Sequence, residues 1–410
     1  MAGEVALFEL GVLFAAVALV GGIASQLRQS VIPFYIGAGI LLGPYVAGRL
    51  APYALEATEF VKLGAELGIV FLLFFLGLEF NLNRLLANRS RIGKAGTVDL
   101  VVNFGGGLVL GFVLFRAFLP AFLVAGIVYI SSSAIITKSL IDIGWIANDE
   151  AEPMLGTLVY EDLVIAVYLV IASALLLGGG DIGAAVQSIG VALGVILLLL
   201  VVVWFGTPFF ERVLDAASHE FIVLRAVGIT VLTAGAALAL GVSEAVAAFF
   251  IGMAFSSTEH VKQLERLLEP IRDLFAAVFF VWIGLVTDPL VFAGVLALIL
   301  VAVVLTVPTK LVSGYLGGRI YDLDTRQSLR VGLGMTTRGE FSLIIATLAL
   351  SGAGTTLTET VAQTIYAFAV GYVLVMSIVG TMLMQYSTPI EGAVVPRLSS
   401  ALSGSPPENP

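Results

Sequence analysis

The sequence predicts an all-α polytopic membrane protein of about 13 transmembrane helices, arranged as two inverted six-helix repeats with discontinuous crossing helices. Three observations carry that prediction. Of 410 residues, 59% are hydrophobic and only 12% charged, about half the charged share of an ordinary soluble domain. Apolar runs such as residues 191–203 lie inside longer uncharged stretches, as lipid-spanning helices require. Polar interruptions fall in two segments that run in opposite directions. Mean hydropathy is +1.06 and net charge −9, which exclude disorder, a water-soluble enzyme and nucleic-acid binding through a basic surface. With no cysteine, disulfides, thiolate metal sites and cysteine nucleophiles are excluded too. His219 and His260 both sit in charged loop stretches, which argues against zinc or a histidine shuttle within the membrane.

The hydrophobic segments run over 5–26, 31–47, 62–80, 96–118, 121–141, 153–178, 182–205, 221–241, 242–257, 271–287, 290–318, 328–350 and 360–386. Residues 1–9 hold two acids and no Lys or Arg, so the first segment lacks the basic start of a signal peptide and is expected to be retained. The second contains Pro33 and several glycines. In the third, Glu66 reads as a packing or gating group. Asp99 and Glu244 lie near predicted helix ends and are expected at the interface. Residues 105–107 are three glycines with no strand before them and no Lys after, hence close-packing positions rather than a phosphate loop. The ninth segment is short. With the N-terminus outside, fifteen Lys and Arg fall on the inner face and three on the outer, Arg49, Lys62 and Arg116. Positive residues stay cytoplasmic, so the predicted topology in the cell membrane is N-out and C-in. The tail 387–410, with Pro389, Pro396 and SGSPPENP, is expected to be disordered.

Charges inside spans are costly and need a reason. The sixth segment reads PMLGTLVYEDLVIAVYLV, with Glu161 and Asp162 adjacent. Asp162 lies nine residues beyond Pro153, roughly 14 Å deep at about 1.5 Å per residue, in a core about 30 Å thick. The same arithmetic from Arg319, Arg330 and Asp142 puts Lys310, Glu340 and Ser133 at roughly 14–15 Å. Four polar positions on four helices share one plane. The fifth segment reads YISSSAIITKSL and the twelfth GLGMTTRGEFSLI. Ser and Thr runs compete for backbone hydrogen bonds, and glycines weaken helices. Breaks inside a bilayer are tolerated where the freed backbone lines a polar cavity. The broken-helix hydroxyls are Ser131, Thr137, Thr336 and Thr337. Arg338 and Glu340 are expected to neutralise half-helix ends. Segments five and twelve lie seven apart, so they are antiparallel. Spans 1–6 and 8–13 then form the two repeats with span 7 between them, a transporter arrangement with its substrate site at the breaks.

At these residues the sequence resembles the cation:proton antiporter-2 family, specifically the membrane part of Kef-type potassium:proton antiporters. The matching pieces are LGIVFLLFFLGLEFNLNRL (67–85), YISSSAIITKSL (129–140), YEDL (160–163), FFVWIGLVTD (279–288) and GMTTRGEFSLIIA (334–346). The resemblance implies the NhaA/NapA-like antiporter fold in a homodimer. It also implies a scaffold over about 5–80 and 221–287, a moving core over about 96–178 and 290–386, a linker helix at 182–205, and alternating access. It makes Asp162 the carboxylate that binds a monovalent cation or a proton, with Glu161, Ser132 and Ser133 beside it. Lys310 is the expected partner of Glu161. Glu161 stands where potassium members often carry Gln and sodium-selective relatives often carry Asp or Asn. The transported ions are K⁺ (alternatively Na⁺) and H⁺, with no cofactor and no enzymatic activity. Kef-type proteins usually carry an RCK-type sensor after the last helix, so a separate cytoplasmic RCK-type subunit is the expected partner. A cation channel or a non-transporting sensor on the same fold are the competing classes. A channel has no need of a mid-membrane lysine beside paired acids.

Overall fold

The computed structural model describes residues 2–50, 54–79, 89–177, 194–195, 197–199, 201–215, 218–240 and 243–403. Among these the named elements are all helical. The first three predicted segments are α1 (Ala2–Gln26), α2 (Ile32–Leu42) with a short α3 (Ala47–Leu50), and α4 (Glu59–Glu79). The fourth comprises α5 (Arg89–Asp99), a π-helical stretch over Leu100–Phe104, and α6 (Gly105–Phe115). The fifth is broken into α7 (Phe118–Tyr129) and α8 (Ser133–Asp142), and the sixth is α9 (Ala151–Leu177). Most of the predicted linker at 182–205 lies outside the described residues. There follow α10 (Thr207–Leu214), α11 (His219–Ala239), α12 (Glu244–Ser256), α13 (Val261–Leu285) and α14 (Val291–Ile320). The twelfth segment is broken into α15 (Thr325–Gly334) and α16 (Glu340–Ser351), before α17 (Glu359–Gln385) and α18 (Ser387–Ser403). Among the described residues, eight helical spans are long and apolar enough to cross a membrane.

Glycines show how the repeats are built. A Cβ on Gly39 would lie 2.1 Å from the Val281 carbonyl, and one on Gly284 would lie 2.2 Å from that of Ile36. Helices α2 and α13 therefore cross backbone to backbone. Helices α4 and α12 do the same, with 2.1 Å from Gly77 to the Phe249 carbonyl and 2.1 Å from Gly252 to that of Phe74. Small residues permit such approaches between helices in lipid. Shifting span numbers by seven converts one crossing into the other, as inverted repeats demand. A second pair repeats the pattern: Gly107 and Gly111 of α6 meet Ala125 and Ala121 of α7, and Gly314 and Gly318 of α14 meet Gly332 and Ser328 of α15. Of the glycine triplet, only Gly107 packs closely; a Cβ on Gly105 or Gly106 meets nothing within 4 Å.

Two expectations are corrected. The tail was expected to be disordered from 387 on, yet 387–403 is helical. Ser387 and Glu391 are buried, and the Glu391 carboxylate binds Arg326 and, at 2.7 Å, Arg330 of α15. These anchors outweigh the local signal of Pro396 and the serines. Helix α13 also starts ten residues before the predicted 271, because Leu264 and Leu268 bury one face while Lys262, Arg266 and Glu269 stay exposed.

Candidate functional site

The site begins at the two breaks. After α7 the chain is extended at Ile130 (φ −69°, ψ 129°) and Ser132 (φ −94°, ψ 106°). After α15 the residues 335–339 run to Gly339, whose φ of −159° and ψ of −130° lead into α16. The two segments touch: the Ser132 N–H donates to the Thr337 carbonyl at 3.3 Å. A Cβ on Gly339 would sit 2.5 Å from Ser132 Oγ, so the crossing has no room for a side chain there.

Four half-helix ends converge, and each pair has its counter-charge. Arg338 is fully buried. It donates from Nε to the Val128 carbonyl of α7 at 2.9 Å, and from Nη1 to the carbonyls of Met335, Thr336 and Thr337 at 3.3, 3.0 and 2.9 Å. A guanidinium thus meets the negative ends of α7 and α15. Glu340 is the first residue of α16, and its Oε2 accepts Ser132 Oγ at 2.7 Å while the Ala134 N–H of α8 also donates to it. A carboxylate thus meets the positive ends of α8 and α16. Ser132 also caps α8, accepting from the Ile135 N–H at 3.3 Å. Thr336 Oγ1 donates back to the Gly332 carbonyl at 3.1 Å. Thr337 is buried and contributes its carbonyl, while Thr137 sits half-buried one turn beyond Ser133.

Adjacent residues on a helix point about 100° apart, and the two acids of α9 have different surroundings. Glu161 is fully buried. Its Oε2 accepts the Ser131 N–H at 2.6 Å, and its Oε1 accepts Ser131 Oγ at 3.0 Å and Lys310 Nζ at 2.6 Å. Asp162 is half-buried, with Ser133 Oγ 3.5 Å from its Oδ1. Glu161 is therefore committed to an ion pair and a broken-helix end, rather than held open beside Asp162.

The sequence reading missed Asp99. Placed at a helix end and expected to be interfacial, it is buried in the core, and its Oδ2 accepts Lys310 Nζ at 2.7 Å. Its Oδ1 accepts Ser313 Oγ at 2.7 Å and Asn103 Nδ2 at 2.9 Å. The misjudgement came from starting the fourth span at 96. The helix starts at Arg89, which puts Asp99 ten residues in, roughly 15 Å deep. Asn103 lies in the π-helical stretch, a feature common at functional sites, and also binds Ser313 Oγ at 2.9 Å. The Tyr129 ring centroid is 5.4 Å from Lys310 Nζ, within cation–π range.

A small cleft lined by Arg28, Ser30, Ile32, Ala134, Lys138 and Asp142 opens between the α1–α2 connection and α8. Ala134 follows Ser133, so the cleft reaches within one residue of Asp162's hydroxyl neighbour.

Comparisons with known proteins agree with this architecture. The family model described as "Sodium/hydrogen exchanger, transmembrane" matches residues 12–385. The chain is 36% identical over 386 residues to the K(+)/H(+) antiporter subunit KhtU of Bacillus subtilis, covering 93% of this chain and 94% of that one. It is 28% identical to the ammonium/H(+) antiporter subunit AmhT of Alkalihalophilus pseudofirmus, covering 94% of each. The structure of the sodium proton antiporter MjNhaP1 from Methanocaldococcus jannaschii superposes with a TM-score of 0.70 at 16% identity, over 92% of this chain and 99% of that one.

Proposed function

The chain belongs to the sodium/hydrogen exchanger family, and from that premise we propose that it is a secondary antiporter exchanging K⁺ for H⁺ at Asp162. The observation that carries the site assignment is where Asp162 sits: half-buried on α9, with Ser133 Oγ 3.5 Å from its Oδ1 at the broken-helix crossing. A carboxylate withdrawn from water favours a bound proton or a bound cation over a bare charge. One group then serves both ions by competition, which couples their fluxes. Ser133 and the carbonyls at 130 and 131 supply further oxygens. Ser132 is held by Glu340 and acts by fixing the break.

In this reading a core of α5–α9 and α14–α17 moves against α1–α4 and α11–α13, exposing Asp162 to each side in turn. The protein sits in the cell membrane as a homodimer, N-terminus outside and C-terminus in the cytoplasm. A cytoplasmic RCK-type subunit regulates it. Support for a partner comes from the two relatives named as antiporter subunits. Support for K⁺ comes from the relative named a K(+)/H(+) antiporter subunit and from Lys310, which offsets Glu161. One observation favours Na⁺ instead: Asp99 adds a second acid to the same ammonium, and a stronger negative field favours the smaller ion.

Dye-quench antiport in proteoliposomes with K⁺, Rb⁺, Na⁺ and Li⁺ tests the proposal. Apparent affinities should rank K⁺ and Rb⁺ ahead of Na⁺ and Li⁺, and Asp162→Asn should abolish exchange in a folded protein. Exchange driven by Na⁺ at lower concentration than K⁺ replaces potassium with sodium. Robust antiport by a folded Asn variant removes Asp162 from the role.

A further inference from the structure

Lys310 is shared. Its Nζ touches Glu161 Oε1 at 2.6 Å and Asp99 Oδ2 at 2.7 Å, and all three residues are buried. Both oxygens bind one nitrogen, so the two carboxylates lie no more than about 5.3 Å apart. In their usual ionic forms, two acids and one ammonium leave one uncompensated negative charge next to the residue that takes the cation. Glu161 cannot be the source of that excess alone, because Lys310 would neutralise it. The excess exists because α5 delivers a second acid.

The delivery is built into the fold. The π-helical stretch over Leu100–Phe104 directly follows Asp99. Within it Asn103 donates to both the Asp99 side chain, at 2.9 Å, and the Asp99 carbonyl, at 3.0 Å. Ser313, one turn from Lys310 on α14, donates to Asp99 Oδ1 at 2.7 Å. Three donors from three positions hold this carboxylate, more than packing alone requires of an acid near a helix end. Removing an acid from water without function is expensive.

We infer that Asp99 is a specificity-determining residue: its charge, held against Lys310, sets the field strength at the cation site and with it the apparent affinity and the preference between small and large monovalent cations. The inference rests on the reading of Asp162 as the cation-binding group. For a separation of about 10 Å and an effective dielectric of about 20, one unit charge changes cation binding by roughly ten- to twentyfold. Asp99 acts through the field and touches no transported ion, so its loss is expected in KM rather than in maximal rate.

The experiment measures antiport in proteoliposomes for K⁺ and Na⁺ with Asp99→Asn, Asp99→Glu and the exchange double variant Asp99→Asn/Asn103→Asp. Asp99→Asn is expected to raise the apparent KM for both ions roughly tenfold, more for Na⁺ than for K⁺, with maximal rate held within about twofold. Asp99→Glu, which keeps the charge, should restore most of the affinity. So should the double variant, which returns a carboxylate to the same hydrogen-bonded cluster. If Asp99→Asn folds and its KM values and K⁺ to Na⁺ ratio match wild type, the inference is overturned. It is equally overturned if maximal rate falls while KM stays, with no rescue by Glu or by the exchange, since that is the pattern of a structural residue. Should Asp99→Asn fail to fold, Asn103→Asp, which adds a further acid to the same cluster, carries the test beside Asp99→Glu: the added charge must lower KM, more for Na⁺ than for K⁺, while Asp99→Glu stays near wild type, or the inference falls. Failure of the Asp162 assignment is separate, because it shows as transport surviving Asp162→Asn.

Discussion

Replacing Lys310 by Met removes one cation and leaves two acids facing each other in the protein interior. Both Glu161 and Asp99 are at most 2% exposed, so water does little to screen them. Breaking a buried ion pair from one side costs about 3–5 kcal/mol in soluble proteins. Here the loss is moderated, because Glu161 keeps the Ser131 N–H and hydroxyl and Asp99 keeps Asn103 and Ser313; hydrogen bonds to charged groups are worth about 1.5–3 kcal/mol each. A net destabilisation of about 3 kcal/mol is expected. Thermal unfolding of the purified protein in detergent reads this directly. The triad also dictates how the damage can be repaired. Glu161→Gln combined with Lys310→Gln recovers only part of the stability, because Asp99 remains without its ammonium. Adding Asp99→Asn to that pair recovers the rest. A Lys310→Met protein as stable as wild type, or a triple variant no better than the double, refutes the reasoning.

Arg338→Gln strips the cation from four carbonyls at two half-helix ends. At about 1.5–3 kcal/mol per charged hydrogen bond it should lower the unfolding temperature sharply, with Arg338→Lys intermediate, and equal melting of the Gln variant would remove the capping role. Gly77→Ala places a Cβ 2.1 Å from the Phe249 carbonyl and should cost about 1–3 kcal/mol by forcing α4 from α12, whereas Gly93→Ala, with nothing within 4 Å, should be neutral or stabilising; matched unfolding temperatures for the two would contradict the crossing. Burial alone would raise the Glu391 carboxyl, but Arg330 and Arg326 outweigh it and hold the group below the usual carboxylate range. A depressed folded value means the attachment of α18 is intact above the unfolded value of about 4.3 and is lost as pH falls through the lower folded one. Limited proteolysis with an acid-active protease should therefore release α18 only in strong acid, and Glu391→Gln should release it at neutral pH.

How much of this was legible in sequence follows from the range of each signal. The two breaks were readable because Ser131, Ser132, Ser133 and Gly332, Gly334, Gly339 interrupt apolar runs, where lipid tolerates few other readings. Depth counting along single helices brought Lys310 to the plane of the acid pair, and the family resemblance then made Glu161 its expected partner. Asp99 was missed because its depth depends on where α5 starts, and the charges of Arg91 and Lys94 concealed that start. The spacing of Asp99 to Asn103, and of Lys310 to Ser313, was available as a signal. Two polar residues three or four apart in an apolar span face the same way and suggest one partner. The helicity of 387–403 was not legible, because it depends on Arg326 and Arg330, which lie about sixty residues earlier in the chain.

Arg330 grips Glu391 on one side and Glu150, at 2.8 Å, on the other, with its guanidinium 4.8 Å from the Trp145 ring centroid. The same residue belongs to α15, whose last turn ends a few residues before Arg338 and the crossing. Mechanically, the final helix and the broken one are in series. An affinity tag, a fluorescent fusion or a docked protein pulling on α18 therefore loads α15, whereas α1, among the described residues, holds no residue of this ion-pair network. Reporter placement in functional assays should follow that asymmetry, and a tether fused behind α18 offers a handle for applying force to the crossing itself.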